Sequence, residues 1–185
     1  ARAGANGVNW FRKLGIAEAR ALPLIDRQSA ADPQVIAALR RSNLIYLLGG
    51  FPVHLATALA GSPAWKAIEE ALGNGAVISG SSAGAMVLCE HFFDPQRDRP
   101  APGLNLIHGV CVLPHHNTFG NSWAPRLQRL IPKVTLIGID EQTGVINDGP
   151  GGSWRVCGPG SVFIYRDERV EQFRSDDTVL LDPST

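Results

Sequence analysis

Residues 76–93 read AVISGSSAGAMVLCEHFF. The short apolar run 76–80 has the character of a buried strand, and 83–93 favours a helix. No proline separates them, so the chain must change geometry within Ser81 and Ser82. Gly80-Ser81-Ser82-Ala83-Gly84 matches G-x-S-x-G in the strand–turn–helix context of a nucleophile elbow. A serine hydroxyl attacks a carbonyl only when a sharp turn exposes it at a strand's end. Glycines two residues before and after remove side chains that would collide there, and the N–H groups opening the helix favour developing negative charge. Ser82 fills the middle position. Ser81 can serve as the helix cap, and a glycine-rich turn that uses serine only for capping is the competing reading.

The segments before the elbow alternate in the same manner. Residues 9–16 read as a short helix and 19–25 as a strand. Residues 32–42 form a helix with Asp32 as cap and Pro33 at the first helical position, and 63–75 form a second proline-initiated helix closed by Gly73 and Gly75. Between them NLIYLLGG, 43–50, is an almost continuously apolar strand ending in two glycines, followed by a helix. Beyond the elbow, 94–103 reads as a long loop. Strands are expected at 108–114, 134–140, 144–148, 153–158 and 161–166, with a helix at 124–131. The pattern predicts one α/β domain over 1–185. Its sheet is mostly parallel, doubly wound and flanked by helices, with short antiparallel strands toward the C-terminal end.

Strand ends of an open parallel sheet share one edge, where sites form. Gly49 and Gly50 would present backbone N–H groups there, as an oxyanion hole requires. LPHHNTFGN, 113–121, follows another apolar strand and offers His115 and His116 as bases for the serine. His54 lies in the glycine loop. Phe119 and Trp123, near the histidines, are candidate walls of a pocket.

Composition narrows the classes. Seventeen basic and seventeen acidic residues cancel, so no global field selects nucleic acid or an anionic membrane. No apolar run approaches the length of a membrane span. Cys89, Cys111 and Cys157 have no metal or redox spacing and sit in apolar surroundings. They read as buried thiols in a reducing compartment, hence a cytoplasmic protein. Neither a metal nor another cofactor is expected.

Taken together, these stretches resemble the dipeptidase E and cyanophycinase family of serine peptidases, with a class I glutamine amidotransferase-like fold. Ser82-Ala83-Gly84-Ala85 matches the family's elbow, Gly49-Gly50 its oxyanion turn, Pro114-His115 its histidine and 138–143 its GIDE-x-T stretch. The resemblance implies a serine hydrolase of a small peptide or related amide. Ser82 is the nucleophile, His115 the base, and the N–H groups of Gly50 and Ala83 the oxyanion donors. Gly49, Phe51, His54 and His116 are expected at the substrate. The family's acid falls in the loop after the elbow helix. There Asp98 fits best and Asp94 second, with Glu141 a further candidate and Asp140-Glu141 otherwise read as hydrogen-bonding groups of the fold. Phe51-Pro52 replaces polar residues that follow the glycines in dipeptidase E, so the resemblance does not by itself imply strict aspartyl specificity, and it supports cyanophycin hydrolysis no better. The resemblance also implies a missing N-terminal βα unit and the possibility of a homodimer. An inactive scaffold or an esterase with the same triad are the alternatives.

Overall fold

The computed structural model describes residues 2–149, 152–167 and 169–181. Contacts divide the chain into two compact units, Ala1–Gly84 and Ala85–Thr185, and each is taken by itself.

In the first unit, α1 (Arg2–Lys13) precedes a segment without regular structure, a short 3-10 turn (Ser29–Ala31) and α2 (Pro33–Arg40). The Asp32 side chain accepts a hydrogen bond from the Gln34 N–H at 2.7 Å, and Pro33 supplies the pre-set φ of the first turn. β1 (Leu44–Leu47) leads to α3 (Pro52–Leu59), then α4 (Pro63–Gly73) and β2 (Val77–Gly80). Ser62 caps α4 through the Trp65 N–H at 3.0 Å. That helix buries Ala64, Trp65, Ala67, Ile68 and Ala71, the spacing of one helical face. β1 and β2 run parallel, with Leu47 opposite Gly80, so the Gly49-Gly50 turn and the elbow leave the same edge.

In the second unit, β5 (Val110–Leu113) pairs parallel with β6 (Thr135–Ile139). β6 pairs antiparallel with β9 (Val162–Arg166), and β9 with β10 (Arg169–Phe173). A 3-10 turn (Gly120–Trp123) and α6 (Ala124–Leu130) make the crossover from β5 to β6. β7 (Gly144–Ile146), β8 (Trp154–Cys157) and β11 (Thr178–Val179) form a separate antiparallel sheet. The core gathers Cys89, Val110, Val112, Ile137, Val156, Val162, Ile164, Val179 and Leu181. The architecture is mixed α/β. Its ladders are parallel at β1/β2 and β5/β6 and antiparallel elsewhere, and they do not draw the doubly wound parallel sheet expected for the whole chain.

Three expectations are corrected. The elbow helix α5 (Ala83–Leu88) stops five residues early, because Cys89 bridges to Ile107 and the chain turns extended. The expected loop at 94–103 is largely a hairpin, β3 (His91–Asp94) with β4 (Arg99–Pro102), in register Asp94 to Arg99. Residues 19–25 join no ladder: Pro23 has no N–H to donate and Ile25 is exposed. In addition, α1 begins well before the short helix read at 9–16, and β10 and β11 extend the strand run at the C-terminal end.

Candidate active site

Ser82 has φ +49°, a left-handed conformation that costs an L-residue roughly 1–2 kcal/mol. β2 ends at Gly80 and α5 begins at Ala83, so the reversal is confined to the two serines. The Ser81 N–H donates to the Leu47 carbonyl at 3.1 Å and the Gly84 N–H to the Ser81 carbonyl at 2.8 Å. Gly84 packs so closely on β1 that a Cβ there would lie 2.0 Å from the Leu47 oxygen. A Cβ on Gly49 would lie 3.2 Å from Ser82 Cβ and 3.8 Å from its Oγ. The two glycine-bearing turns are therefore adjacent, as the sequence suggested.

Gly50 has φ +151° and open space beside it, and Phe51 projects 74% exposed immediately after it. His54 turns elsewhere: its Nε2–H donates to the Ile25 carbonyl at 2.6 Å. In this arrangement it anchors the segment before α2.

In the second unit His115 has φ +51°. Its carbonyl accepts from the backbone N–H groups of Thr118, Phe119 and Gly120 at 3.0–3.1 Å and from the Thr118 hydroxyl at 2.9 Å. Gly120 is needed for that wrap, since a Cβ would meet the Pro114 carbonyl oxygen at 2.1 Å. His115 Nδ1 donates to Glu141 Oε1 at 3.1 Å. Two further bonds hold this turn to the end of β6. The His116 N–H donates to the Ile139 carbonyl, and the Glu141 N–H donates to the Asn117 side-chain oxygen, both at 3.0 Å.

The carboxylate beside His115 is thus Glu141, not Asp98. Asp98 sits at φ +52° in the turn of the β3–β4 hairpin, exposed, and pairs with Arg126 at 2.6 Å. Asp94 is buried but occupied: it accepts from the Gln96 and Arg97 N–H groups and from the Arg97 guanidinium. Burial pushes its carboxyl upward, and these bonds outweigh it, leaving the pKa below the usual value. The loop expected after the elbow helix hid this, because a hairpin carries those two acids into its own turn.

His116 is 6% exposed and belongs to the core. Its ring stacks on Phe163 with centroids 4.3 Å apart, and its Nε2 bonds the Tyr165 hydroxyl at 2.6 Å. Asp140 Oδ1 lies 3.5 Å from His116 Nδ1, and Asp140 Oδ2 accepts from the Ser161 N–H at 2.9 Å. Burial lowers the His116 pKa, with Asp140 opposing, so the ring is neutral near pH 7. The substrate contact expected of His116 is replaced by a framework role. Asn117, two residues after His115, ties the histidine turn to the end of β6, a role that its place in the sequence does not announce.

Cys89 and Cys111 are buried, and burial pushes the Cys89 thiol up to about 12 and Cys111 upward as well. Neither supplies a thiolate near neutral pH. Among the described residues no three His, Cys, Asp or Glu side chains gather at metal-holding distance. No helix there is long and apolar enough to cross a membrane.

Residues 4–151 match peptidase family S51. The chain is similar to the cyanophycinases of Synechococcus elongatus and Thermosynechococcus vestitus, each 31% identical over 167 residues. Those alignments take in 83% of this chain and 51% of each relative, so the chain spans about half the length of the curated relatives it matches. It is also similar in structure to a peptidase from an acI-B1 actinobacterium. There the TM-score is 0.81 at 31% identity, over 94% of this chain and 77% of that one.

Proposed function

Because the chain belongs to peptidase family S51, we propose that it is a serine-type peptidase using Ser82, His115 and Glu141 on a small peptide or related amide. The observation that carries this reading is the left-handed Ser82 at a strand–helix elbow, pressed against a second glycine turn. Backbone strain of that kind persists only where the surrounding structure over-determines it, and here the close approach of Gly84 to β1 and of Gly49 to Ser82 does so. The His115–Glu141 pair supports the base: a carboxylate on Nδ1–H fixes the tautomer that leaves a lone pair on Nε2.

In the proposed reaction the Ser82 Oγ attacks the scissile carbonyl as His115 Nε2 takes its proton. The imidazolium, stabilised by Glu141, returns that proton to the leaving amine. Water, deprotonated by the same base, then releases the acyl group and restores Ser82. The N–H groups of Gly50 and Ala83 serve the oxyanion, each donor worth about 3 kcal/mol of barrier. The reading requires Ser82 and His115 to converge on one carbonyl, within a single hydrolytic domain whose parallel strand pairs belong to one doubly wound sheet.

A fluorophosphonate probe tests it. Ser82 is expected to carry the adduct by mass spectrometry, and Ser82→Ala and His115→Ala are expected to abolish labelling while remaining folded by circular dichroism. Folded wild-type protein that takes no label, or takes it at another residue, defeats the reading.

A further inference from the structure

Three exposed aromatic side chains stand next to the groups proposed to do the chemistry. In the first unit α1 and the end of β1 line an open groove of about 370 Å³. Trp10, Phe11, Tyr46 and Leu48 wall it, and Gly49 and Ser81 border it on the Ser82 side. Phe11 meets Tyr46 edge-on at 5.3 Å and Trp10 at 4.9 Å, so the walls are fixed against one another. Trp10 nevertheless stays 51% exposed. No charged side chain lines this groove among the described residues. Phe51, beside Gly50, adds a further exposed ring.

The second unit repeats the theme. Phe93, buried, meets Trp123 in a tilted contact at 4.7 Å; Trp123 meets Phe119 at 5.5 Å, and Phe119 lies over the His115 ring at 5.1 Å and 25°. Phe119 is 49% exposed. The carboxylate adjoining this cluster, Glu141, accepts from His115 Nδ1.

We propose that the preferred substrates are peptides with large uncharged side chains, aromatic or aliphatic, on both sides of the scissile bond. This rests on the peptidase reading above. The groove bordered by Gly49 and Ser81, the residue before the nucleophile, receives the side chain of the residue whose carbonyl is attacked. Phe119 flanks the residue after the bond, since His115 protonates the amine that leaves with it. An apolar side chain covers rings that are otherwise in water. A carboxylate or ammonium placed in the groove loses hydration and meets no counter-charge, and beside Phe119 the Glu141 carboxylate is already committed to His115.

The experiment measures kcat/KM for matched fluorescence-quenched peptides carrying Phe, Leu, Asp or Lys at each of the two positions. The same protein samples are treated with the fluorophosphonate probe. Phe and Leu are expected to exceed Asp and Lys by about tenfold or more at both positions. Trp10→Ala should shrink the preference at the first position only, and Phe119→Ala at the second only. Labelled Ser82 together with equal or better cleavage of Asp or Lys peptides overturns the inference alone. So does labelling without cleavage of the Phe and Leu peptides, or a preference that neither substitution moves. Unlabelled Ser82 in folded protein removes the peptidase reading and this inference with it.

Discussion

At Ser82 φ is +49° and at His115 it is +51°, yet the two turns are built from different materials. The Ser82 elbow is held by crowding and by missing side chains. Gly84 presses on the Leu47 carbonyl, and Gly49 presses on Ser82 itself. The His115 turn is held mainly by polar bonds: one carbonyl takes three amides and a hydroxyl, while Asn117 and Glu141 tie the turn to β6. Steric confinement requires particular residues at fixed spacings. A hydrogen-bonded wrap draws mostly on backbone groups that every residue carries, so apart from Gly120 and the side chains of Asn117, Thr118 and Glu141 it leaves little trace in sequence.

The largest test of this contrast concerns the acid. Glu141→Gln is expected to lower kcat by about 10⁴-fold through the wrong histidine tautomer. Asp98→Asn, which disturbs only a surface pair with Arg126, should stay within about twofold. Steady-state kinetics on one cleaved peptide decide it, and the opposite ranking would restore Asp98 to the triad.

Next comes the steric side. Gly84→Ala places a methyl into the Leu47 carbonyl and is expected to cost about 3 kcal/mol, read from urea unfolding. Wild-type stability in that variant would show that β1 can move away and that crowding does not hold the elbow. On the polar side, Thr118→Val removes one of four donors to the His115 carbonyl. It should cost about 1 kcal/mol by the same measurement. A cost matching that of Gly84→Ala would mean that the two turns are equally brittle.

The smallest effect is a slope. Burial lowers the folded-state pKa of His116, whereas the unfolded chain binds the proton near the ordinary value of about 6.5. The unfolded state therefore holds more protons below that pH, and stability falls as the solution is acidified from about pH 7 toward about pH 5. His116→Phe removes this contribution, so its urea midpoint should fall less over the same interval. Parallel slopes in the two proteins would show that His116 is not the group responsible.

The sequence alone determined the elbow. Strand, turn and helix are local, and the glycines needed to pack Ser82 against β1 lie within a few residues of it. The starts of α2 and α4 were legible for the same reason, since Asp32-Pro33 and Pro63 act on their own first turns, whereas the Ser62 cap of α4 came only with the structure. Most of the strands beyond residue 107 were also visible as apolar runs. Tertiary structure decided the rest. Glu141 reaches His115 from 26 positions away because β5 and β6 lie side by side in parallel register. Spacing along the chain pointed instead to Asp98, which the hairpin turns toward Arg126. His116 looked like its neighbour in a string of letters. It became a core residue because successive side chains leave a turn in different directions, and one of those directions met Phe163, Tyr165 and Asp140.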